Sequence, residues 1–362
     1  MRTRFCKTLL ALSLVILIAL PPQGWSWGNA GHEAVAYVAW QQLTPKTKAR
    51  VMALLQQVPE LTSPKGTKVP GFDDWVKDLP SGLTEDQKNQ FLFMRAATWP
   101  DSIKHVGFHD SDEAPKGLTK DVNIGFTDTS SHGYWHFIDT GFASDSSTVP
   151  ATPAPNAVTQ IGAFRDAIAS NESDPLKAYD LIWLEHMVGD LHQPLHATVR
   201  YFAGKGDEGG NTVMIKMPTA MKKSFEGTLS KSAPTELHAF WDDLPGEGAA
   251  GPAVTEAAAF GKPLPAAPSA KVADTNPADW AAESLAMAKS DVYVSPIGKG
   301  PTPGGAVAAD APAASGEVGA KAPATGSYLI TTVYYNTALS DAKARIALAG
   351  ARLAKLLNEN LK

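Results

Sequence analysis

The stretch Leu176–His196 reads LKAYDLIWLEHMVGDLHQPLH, and its spacing decides the fold. Tyr179, Ile182, Trp183, His186, Met187 and Asp190 recur at steps of three or four residues, the period of an α-helix, so they share one face. A helix is predicted over Leu176–His192. Pro194 stops it, because proline has no amide hydrogen and its ring clashes with the preceding turn. His186 and Asp190 lie four apart on an otherwise apolar face, and a polar pair facing a core needs a reason. One reason is a satisfied buried hydrogen bond, the usual solution for buried polar groups. A metal is the other, and His196, delivered just beyond the helix, makes the run a ligand cluster rather than an isolated pair.

Working outward, helices are predicted over Ala34–Leu43, after a helix-like start at Gly31–Glu33, and from Pro45 through Val51, Leu54 and Leu55. Further helices are predicted over Val158–Ala169, roughly Thr235–Asp243, and Tyr328–Leu361 with Ile346, Leu348, Leu353, Leu356 and Leu357. No strand series and no repeat of solenoid period interrupts them. From about residue 245 to 326 the chain is crowded with Ala, Pro and Gly, which supply little bulky core, so most of it is expected to be surface loop or disordered. One helix is expected inside it at about 277–290, carrying Trp280, Leu285 and Met287, with Asn276 or Thr275 near its start. The expected fold is mainly α: one helical domain over residues 27–362 with one long insertion.

The composition fits a globular chain. Of 362 residues, 44% are hydrophobic and 19% charged, which excludes a disordered polymer and a multi-span membrane protein. A net charge of -5 argues against a generic basic surface for nucleic-acid backbones, so any anionic ligand must be held by something local. Arg2, Arg4 and Lys7 precede the apolar run Thr8–Leu20, the order of a cleavable secretory signal. Small residues at Gly24 and Ser26 place cleavage between Ser26 and Trp27, so residues 1–26 are read as a signal peptide and the protein as secreted or periplasmic. The one cysteine, Cys6, leaves with it.

His238 and Asp242 in LHAFWD repeat the four-residue spacing. Asp101 in WPD and His136 in WHFID form a set only if the fold brings them together. His32 lies five residues after Trp27, whose freed α-amine, with an ordinary pKa of ~8, a metal can deprotonate. Imidazole nitrogen and carboxylate oxygen without thiolate suit zinc.

On these motifs the chain resembles the secreted zinc-dependent single-strand nucleases and 3′-nucleotidases of the nuclease S-one/P-one type, which are related to zinc-dependent phospholipase C. The matching residues are WGNAGH from Trp27 to His32, Asp101 and Lys104 in WPDSIK, His136 and Asp139 in WHFID, and the HMVGDLHQPLH run. Gly209–Asn211, LHAFWD, Trp280, Ala281, Glu283, Ser284 and the late AGARLAKLLN also match, in the family's order. The resemblance implies a mainly α fold with three zinc ions in a cleft. It puts Asp101, His136, His186 and Asp190 around the first, His196, His238 and Asp242 around the second, and Trp27, His32 and Asp190 around the third. It implies catalytic roles for Asp101 and Lys104, with Lys104, Asp139 and Asn211 lining the substrate. The activity it implies is hydrolysis of single-stranded DNA and RNA to 5′-nucleotides, with removal of terminal 3′-phosphates.

Phospholipase C activity on phospholipid head groups is the alternative, and Asp242, where those enzymes tend to have Glu, favours the nuclease. A non-catalytic zinc-binding protein is disfavoured because every ligand and Lys104 are retained. His192 is expected to orient a ligand, and His105, His109 and His132 to be exposed. Phe108, Phe126, Tyr134 and Tyr201 are candidates for stacking a base. No stable protein partner and no membrane span in the mature chain are expected. Thr62–Ala96, Val106–Ser131 and Pro245–Gly326 are long or divergent, and are expected to border the cleft and change substrate choice.

Overall fold

The computed structural model describes residues 27–121, 123–219, 221–222, 233–246, 264–298 and 327–361. The expected signal peptide and most of the Ala, Pro and Gly-rich stretch lie outside them. From the N-terminus, α1 (Asn29–Trp40) and α2 (Pro45–Leu55) precede a hairpin of two-residue strands, β1 (Leu61–Thr62) and β2 (Lys68–Val69). Then come α3 (Phe72–Lys77), α4 (Glu85–Ala96), α5 (Trp99–Ser102), β3 (Gly141–Ala143), α6 (Ala157–Ile168) and α7 (Asp174–His192). β4 (Val199–Phe202) pairs parallel with β3 and antiparallel with β5 (Lys205–Gly206). β6 (Ile215–Lys216) is followed by α8 (Leu237–Asp242), α9 (Ser269–Ala273) and α10 (Pro277–Met287). β7 (Tyr328–Leu329) lies parallel to β6, and α11 (Thr332–Asn360) closes the chain.

The helix starts follow local chemistry. Thr44 accepts the Thr47 amide ahead of Pro45, Asn156 accepts the Thr159 amide, and Thr331 accepts the Tyr334 amide. The last of these corrects one expectation: the final helix begins at Thr332, and Tyr328–Leu329 is strand. α4 is an addition to the helices expected from periodicity, and Thr84 and Gln87 form a reciprocal capping box that its sequence spells out. The strands are too short for alternation to reveal them, and they pair segments far apart in sequence.

α7 is the central element, buried at every residue from Lys177 to His192. The sequence periodicity marked one buried face; the structure encases all of them, with α1, α2, α5, α6, α10 and α11 packed around it. α1 and α11 cross closely because Gly350 has no side chain. A Cβ there would lie 2.5 Å from Val38 Cβ and 2.7 Å from the Val35 carbonyl oxygen.

The end of α7 is braced by α10, the helix inside the compositionally odd stretch. Ser284 Oγ donates to the Leu191 carbonyl (2.6 Å) and Arg345 Nε to the His192 carbonyl (2.9 Å). Cations at a helix C-terminus complement its dipole. Glu283 compensates both Arg345 (3.0 Å) and Arg352 (2.9 Å), which are almost completely buried. His192 donates from Nδ1 to the Val188 carbonyl and accepts from Arg352 at Nε2. It therefore touches no metal-ligand side chain, contrary to expectation, and burial together with the two guanidiniums keeps it neutral.

Asp180 carries a testable cost of burying so much of α7. It accepts from Asn123 Nδ2 at 2.6 Å, while burial and then Glu172 push its carboxyl up to about 8. Because the folded protein holds this proton above the ordinary carboxylate pKa of ~3.9, the stability it contributes is complete below that value and is lost as pH rises towards 8. Asp180→Asn should remove that loss, stabilising the fold by on the order of 1 kcal/mol or more at pH ~8 and much less at pH ~4. Urea midpoints at the two pH values check this, and an unchanged difference between them would count against it.

Candidate metal centre

Six separate pieces of chain deliver the ligands. α1 supplies His32, α5 supplies Asp101, and α7 supplies His186 and Asp190. His136 follows the turn Gly133–Trp135, His196 lies in the turn Pro194–Ala197 that Pro194 sets up, and α8 supplies His238 and Asp242. All eight side chains are buried. They fall into three groups whose ligand atoms lie within 4.8 Å of one another: His32, His186 and Asp190; Asp101, His136 and His186; His196, His238 and Asp242.

Asp190 joins the first two groups. Its Oδ1 is 3.3 Å from His32 Nε2, while its Oδ2 is 3.0 Å from His136 Nδ1 and 3.3 Å from His186 Nε2. His186 Nε2 also lies 3.6 Å from Asp101 Oδ1, and the His32 and His186 rings stack with centroids 3.7 Å apart. That stacking needs Gly189, since a Cβ there would sit 2.9 Å from His32 Nδ1.

Three imidazoles are oriented by backbone carbonyls. His186 Nδ1 donates to Ala97 O (2.7 Å), His196 Nδ1 to His136 O (2.9 Å) and His238 Nδ1 to Gly209 O (2.7 Å). Each bond fixes the tautomer with a bare lone pair on Nε2, the state a metal requires. Sequence reasoning missed these partners, which no side-chain pattern encodes. Gly209 must be glycine: its φ is +60°, and a Cβ would meet the Leu195 carbonyl at 2.8 Å.

The arrangement fits a cation. His196 Nε2 and His238 Nε2 face each other at 3.2 Å, so in the neutral tautomers two lone pairs meet with no proton between them. Asp190 Oδ1 and Asp242 Oδ2 are buried without a hydrogen-bond partner. Burial opposes charging His196, yet Asp190 and Asp242 raise it to about 9, a measure of how strongly this pocket attracts positive charge. Burial holds His186 and His136 in the neutral, ligating form. Although burial opposes it, Lys104 and the neighbouring imidazoles hold Asp101 far below the usual carboxylate range. The donor set, imidazole nitrogen and carboxylate oxygen, suits a divalent transition metal.

Trp27 lies between the groups. Its indole Nε1 donates to the Gly189 carbonyl (2.9 Å), and the next amide, Gly28 N, donates to the Asp242 carbonyl (3.0 Å). These two bonds tie Trp27 and Gly28 to the residue before Asp190 and to Asp242. Lys104 Nζ is 2.8 Å from Asp101 Oδ1, one helical turn away. Asp139 follows His136 by three residues, and burial, then Asp112, Asp207 and Glu208, push its carboxyl up to about 6. Asn211 closes the Glu208–Gly210 turn, donating from Nδ2 to the Glu208 carbonyl (2.8 Å).

Other expectations need correction. His105 and His109 are exposed, but His132 is buried, stacked on Trp135 at 3.6 Å and bonded to Asp128 at 2.7 Å. Phe108 and Tyr134 are also buried, and Phe126 packs edge-on against Trp99 and Tyr179. Of the four aromatic candidates, Tyr201 alone is half-buried without such ring packing among the described residues.

Comparison with known proteins agrees with this geometry. The family model described as S1/P1 Nuclease matches residues 27–362. One curated relative, Endonuclease 4 of Arabidopsis thaliana, is 34% identical over 80 residues, a segment spanning 21% of this chain and 21% of that protein.

Proposed function

We propose that this chain, which belongs to the S1/P1 nuclease family, is a secreted zinc-dependent phosphodiesterase that hydrolyses single-stranded DNA and RNA to 5′-nucleotides and removes terminal 3′-phosphates. The observation that carries the reading is the convergence of three buried His and Asp groups, two of them joined through Asp190, beside the ammonium of Lys104. Zinc bound there would lower the pKa of a water to ~7 and would neutralise phosphoryl oxygens. Asp101, His136, His186 and Asp190 would hold the first ion, His196, His238 and Asp242 the second, and His32, Asp190 and the Trp27 amine and carbonyl the third. Lys104, fixed by Asp101, stabilises negative charge growing on the phosphoryl group. Asp139 and Asn211 line the substrate on the side of His196 and His238. The Arg2–Leu20 pattern supports export.

Turnover of single-stranded oligonucleotides, a 3′-nucleotide and phosphatidylcholine by the zinc-loaded protein tests the reading. Cleavage of the lipid without cleavage of the oligonucleotides would replace it with a phospholipase C. Lys104→Ala should leave zinc content intact and lower kcat by about a hundredfold or more, with a smaller change in KM. An unchanged kcat would remove Lys104 from the catalytic set.

A protein carrying extra residues before Trp27 should lose one zinc and most of its activity, because a peptide nitrogen replaces the free amine and no side chain substitutes for it. Full zinc content and activity in such a protein would contradict the assignment of Trp27.

A further inference from the structure

We propose that Asp112, carried by the segment Val106–Ser131, makes this site favour phosphodiesters over terminal phosphomonoesters, an inference that rests on the nuclease reading above. The segment leaves the cleft just after Lys104 and returns just before His132, and it is tied down along its length. Ser63 Oγ donates to the Val106 carbonyl (2.6 Å), and His109 N donates to the Thr129 carbonyl (2.7 Å). Asp110 accepts from Ser131 Oγ (2.5 Å) and from the His105 amide (3.2 Å). Farther along, the Asp121 amide donates to Gln160 and Asn123 donates to Asp180.

These ties fix the position of Asp112. Its Oδ1 lies directly over Gly133, where a Cβ would be 2.1 Å from that oxygen and 2.9 Å from the Ser111 carbonyl oxygen. Gly133 opens the turn that ends at His136, so the close approach that glycine permits holds a carboxylate over a residue three positions before that ligand. Asp112 remains exposed to solvent and forms no ion pair among the described residues. Its charge nevertheless reaches two of the three groups assigned to the substrate. It helps raise Lys104, and after burial it is the leading cause of the raised Asp139 carboxyl.

A phosphodiester carries one negative charge, whereas a phosphomonoester carries nearly two above its second pKa of ~6. The extra charge of the monoester meets a fixed carboxylate and is disfavoured; the diester is affected less. The site's own cations still admit the monoester, so Asp112 tunes the ratio of the two activities without abolishing either.

The test compares kcat/KM for a dinucleotide and for a 3′-mononucleotide, using zinc-loaded parental protein and Asp112→Asn. At pH ~7.5, where the monoester is a dianion, the variant should improve the monoester relative to the diester by about tenfold. At pH ~5, where it is a monoanion, the ratio should change less than about twofold. Asp112→Ser, which also removes the charge, should give the same shift. A ratio unchanged at pH ~7.5 in both variants, or shifted equally at the two pH values, would overturn the inference while leaving the nuclease reading intact. Parental protein that cleaved neither substrate would overturn the nuclease reading, and this inference with it.

Discussion

Asp190→Asn is expected to lower turnover of single-stranded DNA by at least about a thousandfold, the scale of losing several kcal/mol of metal-based stabilisation. Asp190 is the carboxylate that faces both His32 and the His136 and His186 pair, one oxygen to each. Asparagine keeps the shape but turns one oxygen into an NH₂ that cannot ligate, and it removes a charge shared by two sites. The variant should therefore lose one or two zincs while retaining its helical circular dichroism. A variant that kept its full metal content and more than a tenth of parental activity would show that Asp190 does not bridge.

Metal removal should have the second large effect. With one cysteine in the whole chain, no intrachain disulfide is possible, so α1, α5, α7 and α8 are cross-linked at this site by non-covalent contacts and by whatever the ligands hold. Without cations, only a proton taken up by His196 separates its Nε2 from that of His238, and the buried carboxylates lose most of their compensation. Ligand at a thousand times its Kd stabilises by about 4 kcal/mol, which for a domain of this size corresponds to ~6 °C in Tm. A chelator should lower Tm by at least that amount, and added zinc should restore it. An unchanged Tm in chelator would mean that the cluster is satisfied without metal.

The metal helix was legible because its pattern is dictated by period: His186 and Asp190 at four residues, Pro194 as the stop, and His196 beyond. α4 was legible in principle through Thr84 and Gln87. The rest depends on tertiary placement. The carbonyls of Ala97, His136 and Gly209 orient three imidazoles, yet a carbonyl has no letter in the sequence. His132 resembled an exposed loop histidine because its partners, Asp128 and Trp135, are recognisable only once the turn is formed. Asp112 stood in a segment of no clear pattern, and its place over Gly133 depends on ties to Ser63, Gln160 and Asp180 from distant parts of the chain. The brace from Glu283 and Ser284 likewise shows how a helix within an Ala, Pro and Gly-rich stretch supports the ligand-bearing end of α7.

Elemental analysis of extensively dialysed protein beginning at Trp27 tests the central claim most directly. Three metal groups, two of them joined through Asp190, predict close to three zinc ions per chain, falling together with activity as chelator is titrated. A content of one or none, with cleavage of single-stranded DNA undiminished, would contradict it.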